Sequence, residues 1–196
     1  MRRSCLPPAS GQGVIVVASL RQAWRHKRKF DAVLTLEDPV CRSADQLRFH
    51  RTPKPPHLVL AFEDVDDDSL GVQVASHEQV DQALAFARAN VGGSLLIHCR
   101  HGVGRSAAMA LAVIADRLGS DQEDAALKGL LAIRPQATPN LVVVKLADAV
   151  LKRGGRLVAA VQAWEAASPH MIEARAMRRA FLAANPHLYS WRTREV

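Results

Sequence analysis

Cys99 and Arg105 stand in the run His98-Cys99-Arg100-His101-Gly102-Val103-Gly104-Arg105-Ser106. A cysteine is a weak nucleophile as a thiol, but converging backbone N–H dipoles and a nearby guanidinium favour the thiolate. An arginine carries a planar fork of donors that fits two oxygens of a phosphate. Gly102 and Gly104 let the backbone between them curl without Cβ clashes. Ser106 can donate to the sulfur and improve it as a leaving group. His98 can fix the loop through a hydrogen bond to backbone.

The elements on either side give the loop its aim. Ser94-Leu95-Leu96-Ile97 reads as a short buried strand, and Ala107-Ala108-Met109-Ala110-Leu111-Ala112-Val113-Ile114 as a helix apolar all round and hence buried. A strand, a glycine-bearing loop and a helix in that order point the loop amides and the positive helix end at one spot of phosphate size. Cysteine and arginine at this spacing arise by chance in many chains. The flanking His98, Gly102, Ser106, strand and helix make the pattern specific.

The run resembles the signature loop of the cysteine-dependent protein tyrosine phosphatase superfamily, His-Cys-x-x-Gly-x-x-Arg-Ser/Thr. Compact size makes the chain most similar to the dual-specificity branch and its bacterial relatives. Ile133-Arg134-Pro135-Gln136-Ala137-Thr138-Pro139-Asn140 resembles the Arg-Pro…Pro-Asn connection that follows the signature helix in that family. The resemblance covers roughly residues 14–153. It implies a phosphatase-type fold, a phosphate-binding loop of Arg100, His101, Gly102, Val103, Gly104 and Arg105, and a cysteinyl-phosphate intermediate on Cys99. It also implies an aspartate general acid on a mobile loop ahead of the cysteine. Asp64, Asp66, Asp67 and Asp68 are the candidates. Asp64, in Phe62-Glu63-Asp64 directly after a strand, matches the hydrophobic-x-Asp pattern and is the first choice. Asn140 fits the family's Pro-Asn position, either as a buttress or as an ordinary helix start. Arg134 is expected behind the loop. No metal or cofactor is called for.

The 196 residues suit one domain with a sizeable core, and 48% apolar residues suit a globular α/β protein. The expected domain organisation is a flexible N-terminal arm over 1–13, a phosphatase domain over 14–167, and a basic helical extension over 168–196. No apolar run reaches membrane-spanning length. The basic start lacks an apolar stretch behind it and is not expected to act as a signal peptide. The three cysteines suggest neither a disulfide frame nor a zinc site, so a cytoplasmic setting is expected. His26, His50, His57 and His77 lack metal-like spacing. The net charge of +7 and pI near 9.9 favour acidic partners, such as a phosphorylated protein or another phosphomonoester. Nucleic acid is not expected, because aromatics are few. Arg25-His26-Lys27-Arg28-Lys29 reads either as a solvated helix end or as a substrate-steering patch.

The pattern of elements predicts a central, mainly parallel sheet of about four to five strands flanked by helices, with a helical C-terminal half. Strands are expected over 14–17, 32–36 and 57–62, ahead of the signature strand. Ser19 and Ser76 open helices with capping-box spacing, reaching Lys29 and Asn90. Ser120 is expected to cap a helix to Ile133. Thr138 and Pro139 are expected to start a helix ending near Gly154, and further helices cover 156–167 and 168–184. Trp24 and Trp164 are expected in the core. The function expected is phosphomonoester hydrolysis on protein phosphotyrosine or mixed phosphoprotein substrates. The alternatives are a phosphoinositide phosphatase, a non-catalytic phosphate-binding module and a rhodanese-like sulfurtransferase.

Overall fold

Four short apolar runs form one sheet in the computed structural model, which describes residues 11–191. They are β1 (Ile15–Ser19), β2 (Ala32–Glu37), β3 (His57–Ala61) and β4 (Leu95–Cys99). All pairings are parallel and the order is β1-β4-β2-β3. The signature strand β4 is therefore an inner strand, and every residue of it is buried. That is the signature of a parallel strand covered on both faces. The expected N-terminal arm falls mostly on residues 1–10, outside the described residues, as does the end of the extension, 192–196.

The described helices are α1 (Leu20–His26), α2 (His77–Ala89), α3 (Arg105–Leu118), α4 (Glu123–Ile133), α5 (Leu141–Val150), α6 (Arg156–Ala166) and α7 (Pro169–Ala184). Alternation along the strands sorts them between two layers. Val33 and Leu96 point toward Ala23 of α1. Leu34, Leu36, Leu95 and Ile97 point into the larger core, where α3 is buried from Arg105 to Ala115. Burying each such Leu or Ile contributes about 1.5–3 kcal/mol, so the strand end carrying Cys99 is firmly seated. None of the described helices is long and apolar enough to cross a membrane.

Ser19 and Ser76 form complete capping boxes with Gln22 and Gln79. Elsewhere the local signals lost to longer-range contacts. α4 starts at Glu123 rather than under a Ser120 cap. Asp121 takes a left-handed turn (φ 62°), and Glu123 faces Arg153 and Arg156 at 3.8 and 3.5 Å. α5 is capped by Asn140, not Thr138, and Pro139 is not its first residue. The backbone of Thr138 and Asn140 is instead bonded to the signature loop, which holds this stretch out of the helix. α5 ends at Val150, short of Gly154. α1 ends at His26 and passes into a single 3-10 turn, Lys27–Lys29. Trp24 is 44% exposed and not a core residue, because α1 meets the sheet through the small Ala23. Trp164 does pack against the core.

The basic run at the end of α1 has a local use. Lys27 Nζ donates to Arg48 O, and Arg28 donates to Pro53 O and Arg51 O at 3.1 and 3.0 Å. These bonds fasten the irregular connection between β2 and β3. They lie near where Asp31 N–H meets Ser94 O, at the end of the sheet opposite Cys99.

Candidate active site

β4 ends at Cys99 and α3 begins at Arg105, so residues 100–104 make the whole turn at the carboxyl end of an inner strand. Open parallel sheets bind ligands at such places. The turn is fixed from outside through its carbonyls. Arg100 O accepts from Leu20 N–H at 3.2 Å. His101 O and Gly102 O accept from Arg134 at 3.3 and 2.8 Å. Val103 O and Gly104 O accept from the N–H groups of Thr138 and Asn140 at 2.8 and 3.3 Å. With successive carbonyls engaged on the outer side, planar peptides turn their N–H groups inward. Gly102 N–H donates to Cys99 Sγ at 3.2 Å, and Ser106 Oγ lies 3.2 Å from the same sulfur. Cys99 is 1% exposed.

Gly102 is the loop position where both backbone conformation and space demand glycine. Its φ is +74°, and a Cβ there would lie 2.5 Å from Ala18 C and Ser19 N. Gly102→Ala is expected to cost about 1–3 kcal/mol from the backbone conformation alone, with the clash in addition. Thermal unfolding should show a clear drop in Tm.

Arg105 is 2% exposed. Its Nη1 donates to Phe62 O at 2.6 Å and its Nη2 pairs with Asp38 Oδ1 at 2.7 Å. Nε has no hydrogen-bond partner among the described residues and lies 3.9 Å from Asp64 Oδ2. Burial works against the guanidinium charge, but Asp64, Cys99 and Asp38 outweigh it and hold Arg105 charged. The fork expected to face an anion is thus partly committed to the protein, leaving Nε free. Asp38 is one residue that sequence reasoning missed. Its signal was its place in Glu37-Asp38-Pro39, just past the carboxyl end of the inner strand β2.

The four candidate acids separate clearly. Asp64 Oδ1 accepts from Asn140 Nδ2 at 3.0 Å and from Arg178 Nη2 at 2.9 Å. Its carboxylate sits so close to the loop that a Cβ on Gly104 would lie 2.4 Å from Oδ2. Burial pushes the Asp64 carboxyl up, but Arg178, Arg105 and the Asn140 amide outweigh burial and hold it below the usual carboxylate range. Asp66 turns the other way, to Leu141 N–H at 3.1 Å and Arg175 Nη1 at 2.8 Å. Asp67 caps the short turn that contains the exposed Asp68, accepting from Ser69 N–H at 2.9 Å. Only Asp64 of the four reaches the loop.

Asn140 does both jobs weighed for it. Its Oδ1 caps α5 through Val143 N–H, while its Nδ2 holds Asp64 and Val65 O. His98 Nε2 pairs with the hydroxyl of Thr35 at 2.8 Å, and Thr35 Oγ1 also meets His57 Nε2 at 2.7 Å. Burial drives the His98 pKa down to about 3 and the His57 pKa down to about 4, so both rings are neutral. Arg100 and His101 are exposed and Val103 is half-buried. Arg100 is drawn toward Asp45 and Asp38, at 3.7 and 4.0 Å, beside a cleft lined by Leu20, Thr35, Asp38, Cys41 and Cys99.

No protein-family model matches the chain, and no curated protein is significantly similar to it in sequence. Solved structures are similar. Tk-PTP in its active form matches with a TM-score of 0.52 at 21% identity, over 78% of this chain and 99% of that one. Human DUSP28 matches with a TM-score of 0.52 at 19% identity, over 75% and 95%. PTPMT1 in complex with PI(5)P matches with a TM-score of 0.51 at 18% identity, over 70% and 90%. The chain has the fold of the tyrosine and dual-specificity phosphatases.

Proposed function

We propose that this protein is a phosphomonoester hydrolase of the tyrosine or dual-specificity type, acting on a phosphorylated protein or a related phosphomonoester. The observation that carries the reading is the meeting of Asp64 with the Cys99–Arg105 loop, at the point where Gly104 leaves room for its carboxylate. A nucleophile, an anion cradle and a proton donor then converge on one site. The catalytic body spans residues 14–167, and the segment 168–196 adds to it. A reducing compartment such as the cytoplasm suits a working thiol.

The mechanism has two balanced steps. The Cys99 thiolate attacks phosphorus in line, and the bond to the leaving oxygen breaks as Asp64 passes its proton to that oxygen. Inward amides of the loop and Arg105 Nε stabilise the equatorial oxygens. Asp64, now ionised, takes a proton from water as the water oxygen attacks phosphorus. Phosphate leaves, and Ser106 Oγ–H supports the returning thiolate at its 3.2 Å contact. Phosphate binding draws Arg105 away from Asp64 and brings negative charge near it. Both effects favour the protonated carboxyl that the first step needs.

The test is p-nitrophenol release from p-nitrophenyl phosphate between pH 5 and 8 with EDTA present, in wild type and Asp64→Asn. Wild type is expected to hydrolyse the ester, with kcat falling as pH rises through the acid's pKa in the bound state. Asp64→Asn should lose that descending limb and about 10²–10⁴-fold in kcat, most for poor leaving groups. An unchanged profile moves the acid to another group. A folded wild type without turnover leaves a phosphate-binding module, or a sulfurtransferase if thiosulfate-to-cyanide transfer is found instead.

A further inference from the structure

α7 and the chain after it reach across to the acid loop. Arg178 Nη2 donates to Asp64 Oδ1 at 2.9 Å and to Asp64 O at 3.1 Å, and its Nη1 lies 3.5 Å from Asp66 Oδ2. One turn earlier, the buried Arg175 joins three elements. It meets Asp66 Oδ2 at 2.8 Å, Pro139 O at 2.9 Å and both carboxylate oxygens of Glu165 at 3.1 Å. Farther on, Ser190 N–H donates to Glu63 Oε1, and Gln73 N–H donates to Ser190 O, both at 2.8 Å. The acid loop is thus bound at Glu63, Asp64, Asp66 and Gln73 by residues beyond 168.

We propose that Arg178 is a positioning residue of the active site, holding Asp64 over the phosphate loop and setting the pH range in which it can donate a proton. This rests on the reading of Asp64 as the general acid. Arg178 makes a bidentate hold on one residue, taking a backbone carbonyl and a carboxylate oxygen with the same nitrogen. The hold fixes the direction of the carboxylate and also favours its ionised form, beside Arg105 from α3 and Asn140 at the head of α5. The other ionisable groups around it are Glu63 and Asp66 on the same loop, Asp38 beyond β2, and the Cys99 thiol. Tyr189 also faces this region. Burial first, and then Glu63, push its phenol up, so it stays neutral and leaves Arg178 as the charge that the C-terminal segment brings to Asp64. Arg175 anchors α7 to Asp66 and Glu165 and so keeps Arg178 in reach.

The experiment is a carboxyl-carbon NMR titration of aspartate-labelled full-length protein, with the Asp64 signal assigned by its loss in Asp64→Asn. Wild type, Arg178→Gln and Arg178→Lys are compared, and kcat for phenyl phosphate is measured across the same pH range. In Arg178→Gln the Asp64 titration and the descending limb of kcat are expected to move together to higher pH. Arg178→Lys, which keeps the charge, should restore most of the wild-type position. Should the glutamine variant fail to fold, Arg178→Met retains the aliphatic stem and gives the same comparison. A structural role alone lowers Tm or kcat without moving either midpoint, and an unmoved Asp64 titration overturns the proposal whether or not the protein turns over phosphate. An Asp64 titration that moves in a wild-type background lacking turnover overturns the phosphatase reading and leaves the coupling between Arg178 and Asp64 standing.

Discussion

Cys99→Ser is expected to lower kcat for p-nitrophenyl phosphate by about 10⁴-fold or more, the scale seen when a nucleophile is removed from a covalent mechanism. Serine keeps the shape of the side chain and can take the Gly102 N–H and the Ser106 hydroxyl as partners, both 3.2 Å from the sulfur now. The buried position therefore stays satisfied, and Tm should change little. An alcohol at neutral pH has no adjacent base here to activate it, since the His98 ring bonds Thr35 and its pKa lies near 3. The proposed anion site is built from backbone amides and Arg105, and of these the change alters only the partner of Gly102 N–H. Isothermal titration with inorganic phosphate should thus show binding close to wild type, alongside lost turnover. Hydrolysis by this variant at the wild-type rate would remove Cys99 from the mechanism.

Arg105→Lys should be far more damaging than its conserved charge suggests. The guanidinium divides its nitrogens among three directions: Asp38 at 2.7 Å, Phe62 O at 2.6 Å, and Nε toward the loop. An ammonium is a single point and can satisfy only part of that set. In this buried place the carboxylates of Asp64 and Asp38 both compete with the anion for it. A loss of about 10²–10³-fold in kcat/KM is expected, as for removal of a preorganised donor to a transition-state oxygen. The lost hydrogen bond to Phe62 O also loosens the start of the acid loop, so the effect should grow with poor leaving groups. Steady-state kinetics on p-nitrophenyl and phenyl phosphate check this. Near-normal constants would place Arg105 outside the site.

The central loop was legible because its information is local. Cys99, Gly102, Gly104, Arg105 and Ser106 lie within one strand-turn-helix step, and each residue type answers a demand of that step. The parallel sheet was legible for a similar reason, as apolar runs alternated with amphipathic ones. What the sequence did not reveal was pairing at a distance. Asp38 meets Arg105 only because β2 lies beside β4, and strand order has no trace in local spacing. Arg178 meets Asp64 across 114 residues of chain. Thr35 reaches His98 because the two share a register position on neighbouring strands. The misplaced helix starts have the same origin. Thr138 carries a good cap side chain, but Asn140 takes the cap by accepting from Val143 N–H, and the Pro139 carbonyl that an earlier helix start would use is held by Arg175.

The outer fastening of the 100–104 turn ties it to both halves of the molecule at once. Leu20 holds it from the sheet side, while Arg134, Thr138 and Asn140 hold it from the helical side. The turn is therefore a keystone, and the anion cradle exists only while both halves are assembled. Under the proposed function, phosphate is then a ligand of the whole folded state, with no affinity for a chain in which either half has come apart. Its binding free energy adds to global stability by mass action, about 2.7 kcal/mol at a hundredfold excess over Kd. Depleting phosphate from solution is then expected to weaken the entire fold, far beyond the 100–104 turn itself.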